Sequence, residues 1–190
     1  MDLESTTPTA PLPPPLEQAY WVVPGRLMAG AFPGAEDPQE ARRKLEALLG
    51  QGIRHLIDLM QPGEVNRLGR PFREYEEPLR AAARSLGCAV GVTRLPVKDL
   101  GVPGRMGMVR ILDAVDGQVA RGRPVYVHCL GGIGRTGTVV GCFLVRHGLA
   151  TRHNVLKTIA ALRAQTALRH LASPETAAQI DLVTSWVEGE

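Results

Sequence analysis

Apolar residues first gather at Tyr20-Trp21-Val22-Val23, a β-rich run closed by Pro24-Gly25, and again over residues 26–30. Two short strands are therefore expected, joined as a hairpin. Asp37-Pro38 opens a helix, with proline at an early helical position. Ala41, Leu45, Leu48 and Leu49 form its apolar stripe, and Gly50 or Gly52 ends it. Residues 53–59 (IRHLIDL) read as a central strand, 60–75 as a polar, glycine-punctuated loop, 76–86 as a helix and 88–95 as another strand. A Pro- and Gly-broken loop, 96–104, precedes a helix over 105–120 with Met108, Ile111, Leu112 and Val115 on one face. The run Val125-Tyr126-Val127 is a short buried strand. Three helices follow, over about 136–147, 152–165 and 175–188, with Thr151 placed to cap the second and Ser173-Pro174-Glu175 the third. Strand and helix alternate, which predicts an α/β fold: a central, largely parallel sheet of four to five strands with helices on both faces.

Composition narrows this picture. A chain of 190 residues suits one domain. Residues 1–18 carry five prolines (Pro8, Pro11, Pro13, Pro14, Pro15) and little that can pack, so a flexible tail is expected before a domain at 19–190. The PLPPPL run also suits a polyproline II ligand of an SH3-like partner. A net charge of +3 argues against nucleic acid as a partner. Three scattered thiols, Cys88, Cys129 and Cys142, point to a reducing compartment. Acidic residues at Asp2 and Glu4 give no secretory signal, and no apolar run is long enough for stable membrane insertion. The expected location is cytoplasmic, with no metal and no cofactor. Oligomeric state has no signature in the pattern.

The chemistry concentrates in PVYVHCLGGIGRTGTVV, residues 124–140. A strand ends at His128-Cys129, a bend holds Gly131, Gly132 and Gly134, and a helix begins near Arg135. Strand, glycine loop and helix N-terminus gather backbone N–H groups around an anion. Cys129 sits at the mouth of that cradle, where helix dipole, loop N–H groups and Arg135 favour a thiolate. Arg135 suits a two-pronged contact to phosphate oxygens. Taken alone Cys129 reads as a buried, inert thiol; with His128, the glycines and Arg135-Thr136 it reads as a nucleophile. Arg67, Arg70 and Arg73 offer a guide for an anionic substrate, although a solvated loop is the simpler reading.

HCLGGIGRT resembles the HCx5R(S/T) signature of the cysteine-based protein tyrosine and dual-specificity phosphatases, in the form found in kinase-associated phosphatase and small bacterial enzymes. The resemblance extends loosely over residues 20–188. It implies a phosphomonoester hydrolase acting on phosphotyrosine, with dual specificity in reach, through a cysteinyl-phosphate on Cys129. Arg135 and the N–H groups of Leu130, Gly131, Gly132, Ile133, Gly134 and Arg135 would bind the phosphate of a phosphorylated protein or peptide. Thr136 would hydrogen-bond the sulfur, and His128 would organise the loop. The family takes its general acid from a loop about thirty residues upstream, which selects Asp99, with Asp58 as rival. Gln179, in SPETAAQ, is either the residue that orients the hydrolytic water or helix surface. Competing readings are a catalytically inactive phosphate-binding module, a phosphoinositide phosphatase and a sulfur-transfer enzyme of the rhodanese kind. Cys88 or Cys142 would be a resolving thiol if Cys129 is oxidised, or core.

Overall fold

The computed structural model describes residues 16–66 and 68–190, so nearly all of the Pro-rich segment, and Arg67, lie outside the described residues. Five strands form one sheet: β1 (Ala19–Val23), β2 (Leu27–Gly30), β3 (His55–Asp58), β4 (Gly91–Arg94) and β5 (Val125–His128). Their spatial order is β1-β2-β5-β3-β4. Only the β1–β2 hairpin is antiparallel; β2, β5, β3 and β4 run parallel. The expected strand count, hairpin and largely parallel sheet are all present.

Alternation along β5 divides the core. Val125 and Val127 face one layer, packing with Leu27, Ala29 and Ile57 against the buried sides of α3 (Arg105–Ala120), α4 (Gly134–Arg146), α5 (Val155–Leu162) and α6 (Ala177–Thr184). Tyr126 faces the other layer, with Met28 and Leu56, against α1 (Pro38–Gly50) and α2 (Glu76–Ser85). Strands buried on both faces carry apolar runs rather than alternation, as VYV in β5 and Leu56-Ile57 in β3 do. In α1 the expected stripe, Ala41, Leu45, Leu48 and Leu49, is buried, and Asp37 caps the helix by accepting from the N–H groups of Gln39 and Glu40.

Several boundaries differ from expectation. The strand over 53–59 contracts to β3, and the one over 88–95 contracts to Gly91–Arg94. Thr151 does not cap α5. Asn154 flanks that helix, and its side chain instead accepts from the Thr151 N–H at 2.8 Å. Nor do residues 173–175 start α6. Ser173 is drawn away to the carbonyl of Ile133, at 2.8 Å. The helix starts two residues later than expected, with a reciprocal capping box between Thr176 and Gln179. Among the described residues no helix is long and apolar enough to cross a membrane.

Packing of α4 on α6 is close. A Cβ on Gly141 would meet the Val183 methyls at 2.6 and 2.8 Å, whereas one on Gly117 in α3 would touch only the tip of Arg121, at 3.4 Å. Alanine in a helix interior is worth about 1 kcal/mol over glycine, and overpacking a core costs about 1–3 kcal/mol. Gly117→Ala is therefore expected to raise the melting temperature by about 2–4 °C, and Gly141→Ala to lower it, by calorimetry. A rise in both would refute tight α4–α6 packing.

Candidate active site

Strands β2, β3, β4 and β5 point their carboxyl ends the same way, and the loops that follow them meet above the sheet, where open α/β sheets bind ligands. The loop after β5 is the centre. Three of its carbonyls are taken: Leu130 accepts from the Phe32 N–H (3.0 Å), Ile133 from Ser173 Oγ (2.8 Å) and Gly134 from Thr138 Oγ1 (2.8 Å). Its N–H groups are not. From Leu130 to Arg135 none donates to an acceptor among the described residues. Backbone N–H groups so unpaired in a folded protein are uncommon, and six in succession at a helix N-terminus form an anion cradle. Gly132 is required there. Its φ is +67°, and a Cβ would lie 2.5 Å from the backbone of Gly30 and 2.6 Å from that of Ala31.

Cys129 lies buried in this loop, and Thr136 Oγ1 is 3.1 Å from its sulfur. The same hydroxyl is 3.4 Å from the Gly30 carbonyl. It has one proton to give, and an anionic sulfur is the stronger acceptor. Arg135 is 3 % exposed. Burial would loosen its proton, but bonds to Glu64 and the charges of Cys129, Glu64 and Asp99 outweigh that and hold the guanidinium more firmly charged than usual. Nη1 also donates to the Val97 carbonyl at 3.1 Å, while Nη2 reaches Glu64 Oε2 at 3.0 Å and Asp99 Oδ1 at 2.9 Å. Glu64 thus holds the Nη edge and leaves Nε without a partner among the described residues.

Asp99 is expected at the mouth and is found there, with its side chain 61 % exposed, lining an open cleft of about 720 Å³ with Cys129, Leu130, Gly131, Ile133, Gly134 and Arg135. Gly132 turns away from the cleft and backs onto β2. Asp58 is buried and committed elsewhere: Oδ1 accepts the Met60 N–H and Oδ2 the Arg94 Nε–H, at 2.8 and 2.9 Å. It does not line the cleft. His128 is fully buried, and burial lowers its pKa against the pull of Asp58, so the ring is neutral. Its Nδ1 faces the Cys129 carbonyl (3.3 Å), which can only accept. The proton is therefore assigned to Nδ1, and Nε2 accepts from Tyr75 Oη at 2.7 Å. Arg70 and Arg73 are exposed and outside the cleft, as in the solvated-loop reading. Cys142 is buried in α4, with burial raising its pKa, Cys88 is half-buried, and neither lines the cleft.

Glu64, Tyr75 and the cleft walls Phe72, Leu168 and Leu171 were not legible in the sequence. Glu64 stands in a loop without periodicity, and its partner is 71 residues away.

This strand–loop–helix site defines a cysteine-based phosphatase, and known proteins agree. Residues 16–180 match the family model described as PTP-SAK, Swiss Army Knife protein, DSP-PTPase phosphatase domain, and the chain belongs to that family. It is 30 % identical over 145 residues to protein tyrosine phosphatase domain-containing protein 1 of Mus musculus, which covers 76 % of this chain and 19 % of that protein. The counterpart from Bos taurus is 26 % identical over 121 residues, or 64 % of this chain and 15 % of that one. The chain thus spans less than a fifth of the length of these relatives. Among solved structures, Tk-PTP in its active form superposes with a TM-score of 0.63 at 20 % identity, over 87 % of this chain and 93 % of that one. Kinase associated phosphatase, with its catalytic site cysteine replaced by serine, gives 0.62 at 18 % identity, over 87 % and 90 %. PTPMT1 in complex with PI(5)P gives 0.63 at 19 % identity, over 88 % and 92 %. These structures share the fold.

Two measurements check the site's electrostatics. Glu64→Ala is expected to lower kcat/KM on an aryl phosphate by on the order of tenfold, because Arg135 loses the partner that orients it; unchanged kinetics would remove Glu64 from the site. A buried neutral His128 binds fewer protons folded than unfolded, so stability is full above about pH 6.5 and falls as acid is added. The melting temperature should drop as the pH falls below about 6.5, and less so in His128→Asn. His55, also shifted down by burial and by Arg123, acts in the same direction.

Proposed function

We propose that the chain hydrolyses phosphotyrosine in proteins or peptides, with phosphoserine and phosphothreonine as further substrates, through a cysteinyl-phosphate on Cys129. The observation that carries this reading is the run of six unpaired N–H groups, closed by Arg135, around a cysteine sulfur that Thr136 can stabilise. Three phosphate oxygens bind the N–H groups of Leu130 to Arg135 and the free Nε–H of Arg135. The thiolate attacks phosphorus as the P–O bond to the leaving group breaks, and Asp99 gives that oxygen a proton. Water then attacks the phosphorus, Asp99 takes its proton, and the S–P bond breaks. Thr136 donates to the departing thiolate, and inorganic phosphate leaves. His128, neutral and bonded to Tyr75, fixes the loop and is not the base.

The apolar cleft walls, Val65, Phe72, Leu100, Ile133, Leu168 and Leu171, suit an aromatic ring. That supports phosphotyrosine over a phosphoinositide, as does a loop with Leu130 and Ile133 and no lysine. Residues 19–190 act as the phosphatase unit. The three unpaired thiols support a reducing, cytoplasmic setting.

Cys129→Ser is expected to abolish turnover of phenyl phosphate while retaining phosphate binding. Asp99→Ala should lower kcat by about 10²–10⁴-fold with much less change in KM. Hydrolysis by the Cys129→Ser protein would overturn the nucleophile, and full activity of Asp99→Ala would overturn the acid. Preference for a phosphoinositide in a side-by-side panel would move the substrate from protein to lipid.

A further inference from the structure

The loop that carries Asp99 is held by side chains from α6. Lys98 to Gly101 close a tight turn, in which the Gly101 N–H donates to the Lys98 carbonyl at 2.9 Å. Within it Leu100 takes a φ of +58°, the one non-glycine residue among those described with a left-handed backbone, although its side chain is 55 % exposed. A residue without a buried anchor keeps such a conformation only if its surroundings impose it. The surroundings here are two bonds from one helix end. Thr176 Oγ1 donates to the Leu100 carbonyl at 3.3 Å, and Gln179 Nε2 to the Gly101 carbonyl at 3.0 Å.

Gln179 is fully buried, so the helix-surface reading does not hold. Its Oε1 accepts the N–H groups of Glu175 and Thr176, both at 3.1 Å. Two donors on one side and a carbonyl on the other fix which end of the amide is which. The side chain also lies under the phosphate loop, since a Cβ on Gly134 would sit 3.0 Å from Oε1 and 3.1 Å from Nε2. One buried amide thus touches the start of α4, caps α6 and grips the turn next to Asp99. Its oxygen is already occupied by two N–H groups, which leaves it poorly suited to orienting a hydrolytic water.

We infer that Gln179 and Thr176 are positioning residues that latch the Asp99 loop over the phosphate loop, and so act on proton donation to the leaving group. This rests on the phosphatase reading with Asp99 as acid. It separates from a water-orienting role by the step affected. A latch matters when the leaving oxygen needs a proton, and not when the leaving group is a stable anion.

The test uses the full chain with two aryl phosphates: phenyl phosphate, whose phenol has a pKa near 10, and an ester of a strongly acidic phenol. Gln179→Glu keeps an oxygen for the α6 N–H groups but removes the donor to Gly101; Thr176→Val removes the donor to Leu100, and Thr176→Ser restores it. Gln179→Glu and Thr176→Val are expected to lower kcat/KM for phenyl phosphate by about tenfold, a part of what a general acid supplies. With the acidic phenol they should stay within about twofold of wild type, since no proton is needed. Thr176→Ser should match wild type on both substrates. In an Asp99→Ala background neither variant should cost more. Equal losses on both substrates or additivity with Asp99→Ala would overturn the latch. A wild-type chain inactive on both esters would instead overturn the phosphatase reading itself.

Discussion

A guanidinium buried to 3 % exposure has to be compensated, and that requirement shapes the functional end of this molecule. Arg135 draws a carbonyl from Val97 and a carboxylate from Asp99, both on the loop after β4, and a second carboxylate from Glu64 after β3. Two loops far from Arg135 in the chain are thereby fixed around one charge. Removing a single partner from such a group costs more than the pair is worth, because it leaves a charge without solvent or counterion. The arrangement also leaves Nε unpartnered among the described residues, so the charge can be shared with an anion without being released from the protein.

The backbone repeats this economy. The carbonyls of Leu130, Ile133 and Gly134 are held by Phe32, Ser173 and Thr138, while the N–H groups from Leu130 to Arg135 meet no acceptor among the described residues. The parallel sheet makes this possible by placing β5 between β2 and β3, with a helix start directly after it. Asp58 serves the frame rather than the chemistry. It joins the Met60 N–H to Arg94, which in turn binds Glu74, and so steadies the loops that bring Glu64 and Tyr75 into place. Tyr75 then supports His128, the residue before Cys129, from the opposite face of the sheet.

Local patterns carried much of this. The Asp37-Pro38 start and the Ala41, Leu45, Leu48, Leu49 stripe were readable because caps and helical periodicity are short-range. The HCLGGIGRT run was readable because Cys129, the glycine loop and Arg135 share one strand–loop–helix unit. Asp99 was found only through the family spacing. Glu64 and Tyr75 were not found, since each meets its partner across more than 50 residues and neither stands in a periodic element. The start of α6 was misplaced for a related reason. Ser173-Pro174 looks like a cap, but a long-range bond to Ile133 takes the serine, and Thr176 and Gln179 form the box instead. The same tertiary competition turned Gln179 from surface into a buried tie.

The claim at the centre of this account is that Cys129 forms a bond to phosphorus within the cradle. Rapid acid quench of the chain during turnover of a ³²P-labelled aryl phosphate, followed by peptide mapping, tests it most directly. Label is expected on the peptide that contains Cys129, appearing before free phosphate and absent in Cys129→Ser. Steady turnover with no label on Cys129 at any quench time would contradict it.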